Sequence, residues 1–215
     1  LGLVLIQPDL GTSLVFGAIM LGALFFAGAS LRWLAVTVLG VVAMVPLAWQ
    51  FILRDYQKQR LVAFLDPAAD PLGSGYQLQQ SQITVGSGGL FGRGLTNTLA
   101  GQNLPVGSTD FVFAHVGEQL GFLGGFVVLT LFALLIWRVL HVGWRSGDIF
   151  TLAFSGGIAG MLLFQMIVNV GMVLGVMPIT GIPLPFVTYG GASLLSAALG
   201  LGILESLAMR RSRSS

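Results

Sequence analysis

From Ile149 to Leu204 this chain runs for 56 residues without one charged side chain. A run of that length has no place in the core of a soluble domain, whereas about 20 apolar residues cross the roughly 30 Å of hydrocarbon in a bilayer. Fifty-six residues hold two crossings and a connection. The connection is legible as Met177-Pro178-Ile-Thr-Gly181-Ile-Pro183-Leu-Pro185, followed by Tyr189-Gly190-Gly191. Prolines at 178, 183 and 185 cannot sit in one regular helix, because each lacks the amide hydrogen and crowds the preceding turn. Three further charge-free runs precede this one: Leu10–Leu31, Trp33–Leu53 with Pro46 as a candidate kink, and Gln119–Trp137. The opening Leu1-Gly-Leu-Val-Leu-Ile6 has neither Met nor a basic n-region, so it reads as the second half of a spanning helix and not as a signal peptide. The expected fold is all-α and integral to the membrane: a polytopic bundle of five full spans plus the end of another, one membrane domain over 1–215, the C-terminal portion of a longer protein.

Composition closes the alternatives. Only 8% of the residues are charged and 55% are apolar, against about 25% charged in soluble domains. Disorder needs polarity and charge that this chain lacks. Ten basic residues against eight acidic ones make no basic field, which excludes a nucleic-acid partner. Thirty-one glycines suit close helix packing in lipid. With no cysteine, disulfides and thiolate metal sites are excluded.

The polar residues gather in one place, a long loop over 54–112 that carries Arg54, Asp55, Lys58, Arg60, Asp66, Asp70, Arg93 and Asp110. Its segment Tyr76-Gln-Leu-Gln-Gln-Ser-Gln-Ile83 is amphipathic and reads as a helix lying on the membrane surface. Arg32, then Arg138 and Arg145, then Arg210, Arg211 and Arg213 occupy short turns and the tail. With alternating spans all three groups fall on one side, which the positive-inside rule makes cytoplasmic. The long loop, the Gln7–Gly11 turn and the proline-rich turn then share the outer side.

Each candidate has a plain structural reading beside the chemical one. Ser108-Thr109-Asp110-Phe111 precedes an apolar run and suits a helix N-cap; equally, Asp110 is a carboxylate at the membrane boundary, placed to accept a proton. Glu118 lies two turns further on, with His115 on its face; an ionisable group near a span is a functional hypothesis by default, and an interhelical hydrogen bond is the alternative. A His–Glu–Asp metal site at this spacing is a weak signal. Arg54, Lys58 and Arg60 sit where a span leaves the membrane, as anchors to lipid headgroups or as a clamp for a phosphate or pyrophosphate. Gly86-Ser-Gly-Gly89 and Gly92-Arg93-Gly94 lack the strand and the Gly-Lys-Ser/Thr ending of a nucleotide loop, so a flexible turn is the better reading. Asp9, between Pro8 and Leu10-Gly11, suits a helix cap in a turn.

Six of these motifs, in order, carry a family resemblance. Gln7-Pro-Asp-Leu-Gly-Thr-Ser13, Phe64-Leu-Asp-Pro67, Asp70-Pro-Leu-Gly-Ser-Gly-Tyr-Gln77, Thr109-Asp-Phe-Val-Phe113, Gly117-Glu-Gln-Leu-Gly-Phe122 and Pro183-Leu-Pro-Phe-Val-Thr-Tyr-Gly-Gly191 resemble the SEDS proteins of shape, elongation, division and sporulation. Thr180 before Gly181 favours the elongation member over the division member. The resemblance implies a ten-span enzyme, of which this chain holds the end of span five through span ten. It implies peptidoglycan glycosyltransferase activity on lipid II at the outer face of the bacterial cytoplasmic membrane, with a class B penicillin-binding protein as partner. It makes Asp110 the essential residue and brings Asp9, Gln77 and Glu118 among the candidate substrate contacts.

The implied chemistry is one inverting displacement. A base takes the proton of the acceptor hydroxyl and positive charge stabilises the leaving pyrophosphate, so Asp110 is the expected base and Arg54, Lys58 or Arg60 the expected pyrophosphate contact. A divalent cation, Mg or Mn, could share that task, although no ligand set shows in the sequence. The rivals are a lipid II flippase, for which midplane polar residues and broken helices would be expected, and a non-catalytic scaffold. Polar residues concentrated in an outer loop favour surface chemistry.

Overall fold

The structure is a computed structural model that describes residues 9–51, 53–70, 73–94 and 109–212. All its regular elements are helices: α1 (Leu10–Phe26), α2 (Leu31–Phe51), α3 (Asp55–Leu65), a one-turn 3-10 helix (Pro67–Ala69), α4 (Ser74–Ser87), a second 3-10 turn (Thr109–Phe111), α5 (Val112–Ser146), α6 (Ile149–Val173) and α7 (Gly191–Ser212). Four of them, α2, α5, α6 and α7, are long and apolar enough to cross a membrane. The fifth apolar helix, α1, has 17 residues, about 26 Å at 1.5 Å per residue. It stops at Phe26, short of the expected Leu31, because Gly28 turns the chain at a left-handed φ of 88°. Pro46 lies inside α2, and the helix continues through it.

The described residues form two compact units. One contains α1, α2, the chain from Phe132 to Phe164, and α7; the other contains Arg54–Leu131 and Gln165–Gly190. The first unit is a bundle around Val139, Ile158, Ala159, Leu162 and Leu204. Asp9 opens α1 as its cap, accepting from Thr12 N at 3.0 Å. At Gly22 the helix lies so close to α6 that a side-chain carbon there would sit 2.3 Å from the Gly156 carbonyl oxygen. Small residues are what bring helices together in lipid, where no hydrophobic force does so. None of the residues of α2 is buried in the chain itself, and Trp33, Leu39 and Phe51 are more than 60% exposed. That is the surface expected to face hydrocarbon.

The second unit carries the polar residues. Here the third expected crossing needs correcting. The helical chain begins at Val112, not at Gln119, and is broken at Gly121, whose φ of 67° and ψ of −165° are open to glycine alone. The break strips hydrogen bonds from both half-helices, and the glycine-rich segment after α4 restores them. Arg93 N and Gly94 N donate to the Glu118 and Gln119 carbonyls at 2.9 and 3.2 Å, while Phe122 N and Leu123 N donate to Gly89 O and Leu90 O at 2.8 and 3.2 Å. A backbone break is tolerated at membrane depth only where protein satisfies the freed groups. The Gly86–Gly94 stretch, read above as a flexible turn, is therefore a splice that fills the break in α5.

α4 is tied to the end of α6. Ser81 Oγ donates to Val173 O at 3.1 Å and Gln82 Nε2 to Leu174 O at 3.2 Å. The Tyr76–Ile83 segment is helical as expected, with Leu78 and Ser81 on its buried side.

Candidate active site

The site is assembled from three pieces of the second unit: α3, the 3-10 turn before α5, and the proline-rich loop after α6. Arg54 starts α3 from an extended conformation, and Gln57 Oε1 accepts from its backbone N–H at 2.9 Å. That fixes the helix start and places the cations along α3, with Arg54 exposed and Lys58 and Arg60 half-buried. Arg60 lies one turn beyond Tyr56, and its guanidinium carbon is 5.8 Å from the ring centroid, within reach of a cation–π contact. Lys58 lines an open cleft of about 370 Å³ with Asp55, Gln59, Val62 and Asp70. Asp70 also opens α4, since its Oδ2 accepts from Ser74 N at 2.7 Å. Gln77 follows one turn later and is half-buried.

Asp110 is the middle residue of the 3-10 turn Thr109–Phe111. The turn stands on buried Phe111, Phe113 and Ala114 and runs directly into α5, leaving the Asp110 carboxylate half-buried. Ser108, part of the capping reading, lies outside the described residues.

The proline-rich loop closes the site. Gly181 holds a left-handed φ of 73°. A side-chain carbon placed on it would lie 3.3 Å from Asp110 Oδ2 and 3.7 Å from Arg60 Nη1. The carboxylate and the guanidinium are therefore at most about 7 Å apart, the sum of those two distances. Bare glycine backbone lies against both. Such a floor leaves room for a ligand to approach the main chain closely. Fully buried Asn169 of α6 donates from Nδ2 to two carbonyls, Asp110 O at 2.9 Å and Ile182 O at 2.8 Å.

The candidates thus separate. Asp110 and Arg60 meet at Gly181, and Lys58 lies two residues from Arg60 on the same helix, in the Asp55–Asp70 cleft. Glu118 is fully buried in the first half of α5, where its main-chain carbonyl belongs to the splice. His115 Nδ1 is 3.2 Å from the Phe111 carbonyl. Asp9 belongs to the other unit, and both its carboxylate oxygens are engaged by Thr12, the capping arrangement. For the divalent cation, no three His, Asp or Glu side chains among the described residues come together as a ligand group. Two carboxylates, Asp55 and Asp70, line the cleft; Mg is ordinarily held by one or two carboxylates together with water and substrate phosphates.

Two site residues escaped the sequence reading. Gly181 was visible only as a turn residue. Asn169 carried a usable signal, a lone amide amid the apolar Met166–Val173 stretch, where a polar side chain points to function or to a hydrogen bond between elements.

Comparison with known proteins bears on this arrangement. The family model for FtsW, RodA and SpoVE, described as cell cycle protein, matches residues 1–213. The peptidoglycan glycosyltransferase MrdB of Escherichia coli K12 is 43% identical over 211 residues, covering 97% of this chain and 57% of MrdB. The stage V sporulation protein E of Bacillus subtilis is 38% identical, covering 94% of this chain and 55% of its own length. Among solved structures, a chain of a peptidoglycan synthase complex, studied for its coordination of polymerization and crosslinking, superposes with a TM-score of 0.78 at 36% identity. It covers 98% of this chain and 58% of that one. The crystal structure of the rod shape determining protein RodA of Thermus thermophilus gives a TM-score of 0.61 at 32% identity, covering 100% and 53%. The chain spans a little over half the length of the curated relatives it matches.

Proposed function

The chain belongs to the FtsW/RodA/SpoVE family of cell cycle proteins, and from that footing we propose that its site polymerises lipid II into glycan strands by inverting glycosyl transfer. The observation that carries the reading is the meeting of a carboxylate and a guanidinium over the bare backbone of Gly181. The reaction needs both. The acceptor hydroxyl must lose a proton as it attacks the anomeric carbon, and Asp110 accepts it. The departing undecaprenyl pyrophosphate gains negative charge, and Arg60 meets it with a planar fork of donors suited to phosphate oxygens. Lys58, two residues away, lies about 200° around α3 from Arg60 and lines the cleft with Asp55 and Asp70 instead. Because one displacement inverts the configuration, a single carboxylate suffices.

The names of the relatives support this activity, and the resemblance to a chain of a peptidoglycan synthase complex supports a cross-linking partner, a class B penicillin-binding protein. In this reading the site faces the outer side of the cytoplasmic membrane and serves cell elongation. The test is Asp110→Asn in the intact, purified protein with lipid II as substrate. Asn is neutral and cannot take the proton, so polymerisation should fall by roughly 10²–10⁴-fold. Undiminished polymerisation would overturn the assignment. Lipid II translocation without polymer from the unsubstituted protein would favour the flippase.

A further inference from the structure

We propose that Asn169 is a positioning residue for the reaction: it locks the turn that carries the base to the loop that floors the site. The inference deepens the reading of Asp110 as the base and rests on it.

A one-turn 3-10 helix has poor hydrogen-bond geometry and little to hold it, yet Asp110 sits in the middle of one. The proline-rich loop is irregular by composition, and Gly181 within it adopts a left-handed φ of 73°. Neither piece can set the distance between them. Asn169 can. It projects from α6, a continuous helix of 25 residues, and is fully buried. Its amino group donates at once to Asp110 O, 59 positions away in sequence, and to Ile182 O, 13 positions away. Ile182 directly follows Gly181, the residue against which the Asp110 carboxylate and the Arg60 guanidinium lie. One side chain therefore fixes both walls.

The chemistry of the amide fits this task and few others would. Two carbonyl acceptors need two donors, and the amino group of Asn supplies two hydrogens from one atom. The same requirement fixes which way the amide points. Its other end makes no hydrogen bond in the described residues, so Asn169 is held through its donors alone. An aspartate has about the same size but presents oxygens to oxygens, and a leucine fills similar volume with nothing to donate. The paired hydrogen bonds predict a role in placing Asp110, not in gripping substrate, because the amide reaches main-chain atoms behind the site.

The experiment compares Asn169→Leu with Asn169→Ser and Asp110→Asn in the intact protein, measuring kcat and KM for lipid II polymerisation alongside thermal stability. Loss of the lock lets the base drift, and misplacement by about 1 Å costs on the order of 10²-fold. Asn169→Leu should therefore lose roughly 10²-fold in kcat with KM within about twofold. A purely structural role would lower stability and yield of active protein but leave the kcat of the folded fraction unchanged. Asn169→Ser, which can donate to only one carbonyl at a time, should fall between, and it serves alone if the leucine variant does not fold. Normal kcat in a folded Asn169 variant, with Asp110→Asn inert, overturns the positioning role and leaves Asp110 as the base. An active Asp110→Asn overturns both.

Discussion

Gly181→Ala separates the geometry of the site from the stability of the loop. The added methyl carbon lands 3.3 Å from Asp110 Oδ2 and 3.7 Å from Arg60 Nη1. These are close but tolerable contacts, so the energetic cost comes mainly from the backbone. Holding a non-glycine residue at a φ of 73° costs about 1–2 kcal/mol. Alanine recovers roughly 0.4–1 kcal/mol of that by restricting the unfolded chain. The net loss is about 1 kcal/mol, which for a chain of this size lowers Tm by about 2–4 °C. In the proposed reaction the effect on turnover should be far larger, because the methyl group stands within 3.7 Å of both the proposed base and the proposed pyrophosphate contact. We expect kcat/KM to drop at least 10²-fold, the scale of a misplaced reactant. Gly175→Ala is the matched control. It carries the same φ of 73°; its methyl carbon would lie 1.9 Å from Gln82 Nε2, so the exposed Gln82 side chain must swing away from its hydrogen bond to Leu174 O, which adds about 1 kcal/mol to the cost. The assay is lipid II polymerisation by each purified intact variant, with Tm measured on the same sample. A Tm loss in Gly175→Ala at least as large as that in Gly181→Ala, with activity lost only in Gly181→Ala, is expected. A Gly181→Ala protein within about threefold of normal kcat/KM would refute the claim that the gap above Gly181 receives substrate.

Gly121→Ala should be far more damaging to stability, since its side-chain carbon would sit 2.3 Å from Gly92 N and 2.6 Å from Leu90 O and would force the splice apart. Backbone strain of about 1–3 kcal/mol and the weakening of several backbone hydrogen bonds at about 1 kcal/mol each predict a Tm loss above about 6 °C, and a melting temperature within 2 °C of normal would show that the splice contributes nothing. Arg60→Ala should reduce polymerisation at limiting lipid II by about tenfold or more with little change in Tm, because a half-exposed cation contributes little to folding; normal yield at limiting substrate would return Arg60 to the role of a lipid anchor. A cysteine at exposed Gln79 should be labelled by an impermeant reagent from outside and one at exposed Ser30 only after permeabilisation, and the reverse pattern would invert the topology.

The order in which residues combine explains what could be read early. Charge-free runs identify crossings without any knowledge of packing, because the cost of a charge in hydrocarbon is paid residue by residue. Hence α2, α6 and α7 were legible as spans, as were the proline-rich connection and the amphipathic α4. A short motif likewise singled out Asp110, and the charge cluster at the end of a span singled out Arg54, Lys58 and Arg60. What composition could not reveal was the break at Gly121. Leu120–Phe126 is apolar enough to pass for unbroken helix, and only the approach of Gly88–Gly94 supplies the hydrogen bonds that make the break stable. The same holds for the site. Asp110, Asn169 and Gly181 are separated by 59 and 12 positions, and Arg60 lies 50 positions before the aspartate. Local patterning acts over a few residues along a helix or strand, so it can name a carboxylate and a guanidinium but cannot say that they share one glycine. That was decided by tertiary structure, through a buried amide whose two hydrogens join carbonyls from two distant stretches of chain.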